Sequence, residues 1–294
     1  MTFRDLFTLF DQWNHLNRAP RTAEFYAGQL DRLLDLYGSI EADQIRPQHL
    51  LPFKATWHLV LAVQRLYRWA ITHDLIAASP ILRLKRPRLG RRQRVLSRIE
   101  IARLMRDSAA DFRDVLLCYR ESAVRPLEVR ELEWTALTIP ERVSMAEALR
   151  SGQACFVLTT FKGRKMRAGD TSVRTIPITP RLGRLLLRLI ERGPGNSVIF
   201  RSARGRPWSY SALRCRMRVL RKRSGLPLVV GGEMVCQYTL RHSTATQWVA
   251  DGMQLNVCST LLGHSRVTTT QRYIHLTRNQ LLEEWRRHQE RSRS

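Results

Sequence analysis

Residues 83 to 94 read RLKRPRLGRRQR, a basic stretch broken by one proline and one glycine, with no apolar residues recurring at helix or strand period. A segment of this kind offers no face to a hydrophobic core, so the chain on either side must bury its own apolar surface. A helix start follows at once. In Ser97-Arg98-Ile99-Glu100 the hydroxyl and the carboxylate can each satisfy a free N–H of the first turn, and IEIARLM carries the helix on. The pattern predicts a first unit over residues 1–85, a basic linker over 86–95 and a second unit over 96–294. The cations in and beside the linker, Lys85, Arg86, Arg88, Arg91 and Arg92, suit either a phosphate backbone or plain solvation.

The first unit reads as helices. MTFRDLFTLFDQW interrupts its phenylalanines with Arg4, Asp5 and Asp11, which marks an amphipathic helix and not a signal peptide. RTAEFYAGQLDRLLDLYG places Phe25, Leu30, Leu33, Leu34 and Tyr37 near one face and stops at Gly38, and ATWHLVLAVQRLYRWAITHDLI repeats the pattern with Leu59, Val63, Leu66, Tyr67 and Ala70. In the second unit, residues 111 to 137 form two helical pieces around Ala123-Val124-Arg125-Pro126, with Pro126 suited to a first turn. CFVLTTF and VRTIPIT are rich in β-branched and aromatic residues and flank the polar KGRKMRAGDTS, as in a hairpin. From about residue 180 helices return, with loops at RGPGNS, SARGRPW and LPLVVGGEM. The expected fold is mainly α with a small β-sheet: a helical first domain and an α+β second one.

The charge narrows the partner. Against 25 Asp and Glu stand 50 Lys and Arg, a formal +25 with a pI near 11.3. Nucleic acid is the polyanion such a surface suits best, because each neutralised phosphate releases condensed counterions; an acidic membrane surface is the weaker alternative. No stretch approaches the roughly 18 consecutive apolar residues of a membrane span. Five cysteines, odd in number and without a CxxC pair, point to a reducing, cytoplasmic setting with neither disulfides nor a zinc knuckle. The eight histidines have no metal-ligand spacing, so no metal is expected. Only five of the cations are lysines, which leaves few residues able to give up a proton.

Four stretches of the second unit carry polar residues that packing does not require: SAVRPLE, TTFKGRK, YTLRH and LLGHSRVTTTQRY. Singly each has an ordinary reading. Tyr273 fits a packed aromatic as well as a nucleophile, His264 can cap a helix, and Arg125 can be a solvated cation. Jointly they suit one chemistry. Cleaving a phosphodiester without metal, cofactor or water needs a nucleophile, which a tyrosine can supply while storing the bond as a phosphotyrosyl ester. Two arginines offer planar forks for the non-bridging oxygens. A lysine can protonate the departing 5′-oxygen, and histidine adds a hydrogen bond near neutral pH.

In this order and spacing the second unit resembles the tyrosine recombinases of the phage-integrase and Xer type. That family's signature is an arginine in a G-L-R-x-x-E context, a β-hairpin lysine, H-x-x-R, L-G-H, and a tyrosine nine residues after the last histidine. Here stand Val124-Arg125-Pro126-Leu127-Glu128, Lys162, Tyr238-Thr239-Leu240-Arg241-His242, Leu262-Gly263-His264 and Tyr273. The paired helices before LIAASPILRLKRP are similar to the family's SAM-like core-binding domain. The resemblance implies that Arg125 and Arg241 clamp the scissile phosphate, Lys162 is the general acid, His264 donates to a phosphate oxygen and Tyr273 attacks. Glu128 would orient Arg125. It also implies double-stranded DNA at specific sites as the partner, four protomers on two sites, and no cofactor or small-molecule substrate. The helix TRNQLLEEWRRH after Tyr273 would dock on a neighbouring protomer.

Three positions depart from the pattern. Tyr238 stands where the family has the first histidine of H-x-x-R; a phenol can hydrogen-bond a phosphate but, with a pKa near 10, shuttles protons poorly at neutral pH. His242 would pack behind the site. Lys162 stands twelve positions before Arg174, an extended hairpin that makes Lys165 a rival for the acid. Ala123 replaces the usual glycine before the first arginine. Three other readings stay open from sequence: a DNA-binding relative without activity, a type IB topoisomerase-like enzyme that relaxes DNA, and a basic protein that coats nucleic acid.

Overall fold

A computed structural model describes residues 1–54, 56–87, 94–159, 173–193, 197–226, 229–230, 233–264 and 269–271. The chain forms two compact units, residues 1–91 and 92–294. In the first, α1 (Phe3–Asn17) opens on a reciprocal cap: Asp5 N–H donates to the Thr2 hydroxyl and Thr2 N–H to the Asp5 carboxylate. Its buried residues Phe3, Leu6, Phe10 and Asn14 recur at helical spacing. α2 (Pro20–Tyr37) starts on proline and ends at Gly38. After two 3₁₀ turns comes α3 (Trp57–Thr72), capped by the Thr56 hydroxyl. Leu59, Val63, Leu66, Tyr67 and Ala70 are all buried, and the Tyr67 hydroxyl donates to the Ala42 carbonyl at 2.6 Å.

The second unit begins with α4 (Arg98–Asp107), whose Ser97–Glu100 capping box forms as its sequence dictates. α5 (Ala110–Ser122) and α6 (Pro126–Glu131) are separated at Ala123, a non-glycine residue at φ 48°. A strand pair unannounced in the sequence follows, because β1 (Leu137–Thr138) has only two residues and exists by pairing with the strand after α7 (Met145–Ser151). That strand, β2 (Cys155–Thr159), runs antiparallel to β3 (Val173–Pro177), with Cys155 opposite Pro177 and Thr159 opposite Val173. α8 (Pro180–Glu191) and α9 (Tyr210–Arg223) pack next. The expected loop LPLVVGGEM holds a minimal ladder, β4 (Val229–Val230) with β5 (Glu233–Met234). α10 (Gln237–Ala250) and α11 (Leu255–Leu262) complete the described elements. No helix of the described residues is long and apolar enough to cross a membrane.

α7 and α8 touch backbone to backbone. A Cβ added to Gly183 would lie 1.8 Å from the Leu149 carbonyl oxygen, so only glycine permits this approach. Gly28, inside α2, meets nothing within 4 Å. The same substitution should therefore act with opposite signs. Gly28→Ala is expected to stabilise by up to about 1 kcal/mol through helix propensity. At Gly183 that gain is outweighed by forcing two helices apart, a net loss of roughly 2 kcal/mol or more. Denaturant melts of the two variants check the pair.

Candidate active site

α11 ends at Gly263, which adopts φ 62°. The N–H of Gly263 donates to the Thr260 carbonyl at 2.9 Å and that of His264 to the Ser259 carbonyl at 3.0 Å, the two bonds of a Schellman turn. The last carbonyls point onward without helical partners. Three guanidinium groups meet them. Arg174 Nη1 donates to Leu262 O at 2.9 Å, Arg241 Nη2 to the same oxygen at 2.6 Å, and Arg125 Nη2 to Gly263 O at 2.5 Å. A side chain at 263 would collide with this cluster, since a Cβ there falls 2.8 Å from Arg174 Cδ.

Each arginine arrives from a different element. Arg125 caps α6, where its own N–H and Nη1 donate to the two carboxylate oxygens of Glu128 at 2.6 and 2.7 Å. Arg241 lies on the buried face of α10, 5% exposed, and also donates to the carbonyl of the left-handed Ala123. Arg174 comes from β3. It is 3% exposed and its Nη2 reaches Glu128 Oε2 at 2.6 Å, so one carboxylate bridges two arginines. Burial pushes the Glu128 carboxyl up, but Arg174 and Arg125 pull it further down, to a net value below the ordinary one. Burial lowers Arg174, with Glu128 opposing, and a guanidinium remains charged at neutral pH. Cys258 nearby is held as a thiol, its pKa raised to about 11 by burial against the pull of Arg241.

His264 continues from the turn, with its Nδ1 2.8 Å from the hydroxyl of the fully buried Thr270. That contact fixes the plane of the ring. Tyr238 is 39% exposed at the start of α10, three residues before Arg241 and so on the same side of the helix. His242 is buried beside Arg241. The structure thus brings together Arg125, Glu128, Arg241 and His264 of the residues named from sequence. Lys162, Lys165 and Tyr273 lie outside the described residues, as do Arg88, Arg91 and Arg92. Lys85 and Arg86 are exposed, and Arg86 Nε donates to the Gln64 side chain at 2.7 Å.

Arg174 was legible only as the start of a strand. Its signal was the register: in VRTIPIT, Arg174, Ile176 and Ile178 alternate inward, so an arginine occupies a core-facing position. Such a residue is retained only where partners wait for it.

Residues 94–280 match the model of the Phage integrase family. The chain belongs to the phage integrase family. Among curated relatives, tyrosine recombinase XerC of Chlorobaculum parvum is 30% identical over 236 residues, covering 76% of this chain and 69% of that protein. Tyrosine recombinase XerD of Mycobacterium tuberculosis is 31% identical over 232 residues, covering 77% and 71%. The integrase fold also returns from solved structures. The Tn1549 transposon integrase in complex with circular intermediate DNA superposes with TM-score 0.73 at 15% identity, over 98% of this chain and 99% of that one. A lambda integrase dimer bound to a core site gives TM-score 0.73 at 15% identity, over 92% and 97%. Within this family's shared fold, the three-arginine cluster is the feature of the present chain that its own geometry defines.

The Glu128 bridge has a pH signature. A carboxyl whose pKa is lower in the folded than in the unfolded state stabilises the fold above its unfolded value and loses that contribution as pH falls through the folded one. Thermal stability is expected to drop on acidification below about pH 4. Glu128→Gln, which strands the buried Arg174 and the half-buried Arg125, should cost roughly 3 kcal/mol at neutral pH and flatten the acid limb. Melting curves from pH 3 to 7 on both proteins test this, and an acid limb of equal slope in both would refute it.

Proposed function

We propose that the protein is a site-specific recombinase or integrase that breaks and rejoins DNA strands by transesterification, through a 3′-phosphotyrosyl intermediate. The observation that carries this reading is the gathering of Arg125, Arg174 and Arg241 at the carbonyl end of α11, with a single carboxylate, Glu128, bridging the first two. Three cations against one anion leave an excess of positive charge that suits a phosphodiester, above all as charge builds on its non-bridging oxygens. Double-stranded DNA is the substrate, and the +25 charge favours its approach.

In this reading Arg125 and Arg241 hold the two non-bridging oxygens, exchanging helix-end carbonyls for phosphate. His264 donates a further hydrogen bond, and Tyr238, half-exposed on the side of α10 that carries Arg241, supports it. The Tyr273 oxygen attacks phosphorus as the bond to the 5′-oxygen breaks. Lys162 protonates the leaving 5′-oxygen, which departs as the hydroxyl, with Lys165 as its rival. Rejoining runs the same steps backward, with a 5′-hydroxyl attacking the phosphotyrosyl ester, so no external energy source is needed. The first unit and the basic residues from Lys85 to Arg92 grip DNA beside the cleavage point. Four protomers assemble on two sites, each contributing its own tyrosine.

Two measurements test these roles. A pool of nicked duplexes with randomised arms, incubated with the protein and then denatured, should yield a covalent protein–DNA adduct that also reports the preferred site. Tyr273→Phe should abolish the adduct and leave DNA retention in a filter assay intact; an adduct that survives removes Tyr273 from the nucleophile's place. On the selected site, Lys162→Ala and Lys165→Ala should each slow cleavage or not according to role. A 5′-thiol leaving group, which needs no proton, should rescue only the variant lacking the acid.

A further inference from the structure

In the first unit, α1, α2 and α3 enclose a cavity of about 190 Å³. Its wall is aromatic. Phe10 lies 5.9 Å from Tyr26 and 5.3 Å from Trp69, and Trp13 lies 6.1 Å from Trp69, ring centre to ring centre. Asn14 lines the same space from the buried stripe of α1, four residues after Phe10, where the helical period calls for an apolar residue. Asn14 is 1% exposed, and neither its amide oxygen nor its amide nitrogen has a partner among the described residues. The indole Nε1 of Trp69 is likewise buried and unpaired. Buried polar groups are ordinarily satisfied by protein or by a bound molecule, and here two donors and an acceptor stand unpaired around one cavity.

The rim adds charge. The Arg18 guanidinium stands 5.1 Å from the centre of the Trp13 ring, and the exposed Arg65 and Arg68 lie one turn apart on α3. No carboxylate is among the residues lining the cavity. Roughly six waters would fill such a space and could pair with its polar groups, but they gain nothing from its aromatic surface. A flat ring with hydrogen-bonding edges gains from both surfaces, and an attached anion from the rim. We propose that this cavity is a nucleotide site: one base stacks among Trp13, Trp69 and Tyr26, its edge pairs with the Asn14 amide and Trp69 Nε1, and its phosphate meets Arg18 and Arg65 or Arg68. Asparagine reads adenine through paired contacts of this kind, and aromatic platforms accept any base. The occupant is either a free nucleotide or an unstacked terminal nucleotide of a DNA strand. The site lies in the first unit and is independent of the cleavage chemistry.

Calorimetric titration of the full chain with the four deoxynucleoside 5′-monophosphates, with deoxyribose 5-phosphate, and with blunt and single-nucleotide-overhang duplexes tests the site. Saturable binding of a monophosphate, absent for the sugar phosphate, identifies a free-nucleotide site. Preference for overhang over blunt duplex without monophosphate binding identifies a strand-end site. In either case Asn14→Leu should weaken that binding about tenfold or more, since it removes both edge contacts while keeping volume. The variant should melt at or above the parent temperature, because an unpaired buried amide has become apolar; if it does not fold, Trp69→Phe removes one donor and keeps the ring. No saturable binding by any of these probes, or binding that neither variant weakens, overturns the proposal.

Discussion

The end of α11 is the point on which the second unit's charged interior depends. Three guanidinium groups within one cluster repel one another, and burial makes their separation from water costly. What gathers them is the negative pole of a helix, its last carbonyls unpaired by the helix itself, together with the Glu128 carboxylate. Because Arg125, Arg174 and Arg241 come from the start of α6, from β3 and from α10, the same contacts also tie a strand and two helices to the turn that ends α11. The arrangement is stable without being neutral. A helix pole carries only about half a charge, so with Glu128 it falls short of balancing three arginines, and the remainder is available to an anion.

Backbone conformation serves this cluster at two places. Gly263 holds a positive φ and presents no side chain to Arg174. Ala123 holds φ 48°, a conformation that costs an L-residue roughly 1–2 kcal/mol. The turn it makes starts α6 at Arg125 and directs the Ala123 carbonyl to Arg241. An alanine tolerates this because its methyl packs in a small buried cluster with Ala245, Cys258 and Leu262. A β-branched residue would not.

Much of this was legible in sequence, for local reasons. The Ser97–Glu100 cap, the α1 and α3 stripes and the β2–β3 pair are written in neighbouring residues, so short-range rules find them. Arg125, Glu128, Arg241 and His264 were legible through the resemblance of their motifs to a family signature. What escaped depends on partners far along the chain. β1 is a strand only because Leu137 and Thr138 meet Phe156 and Cys155, and β4–β5 is a two-residue ladder within an expected loop. The alternation in VRTIPIT turns Arg174 inward, but its role shows only once β3 folds against α11, because its partners Glu128 and Leu262 lie far along the chain.

Arg174 and Asn14 break their elements' patterns in the same way, each a polar residue in a core-facing register. They differ in how the fold answers them. Arg174 has Glu128 and the Leu262 carbonyl, so its burial is compensated within the chain and its charge contributes to a site built from all three arginines. The Asn14 amide has no hydrogen-bond partner among the described residues, and the Trp69 indole nitrogen beside the same cavity is equally unpaired. An apolar residue at 14 would pack that stripe at no polar cost, which makes the amide a poor choice for stability alone. A partner from outside the chain, as proposed for the cavity it lines, is the economical physical account of that amide.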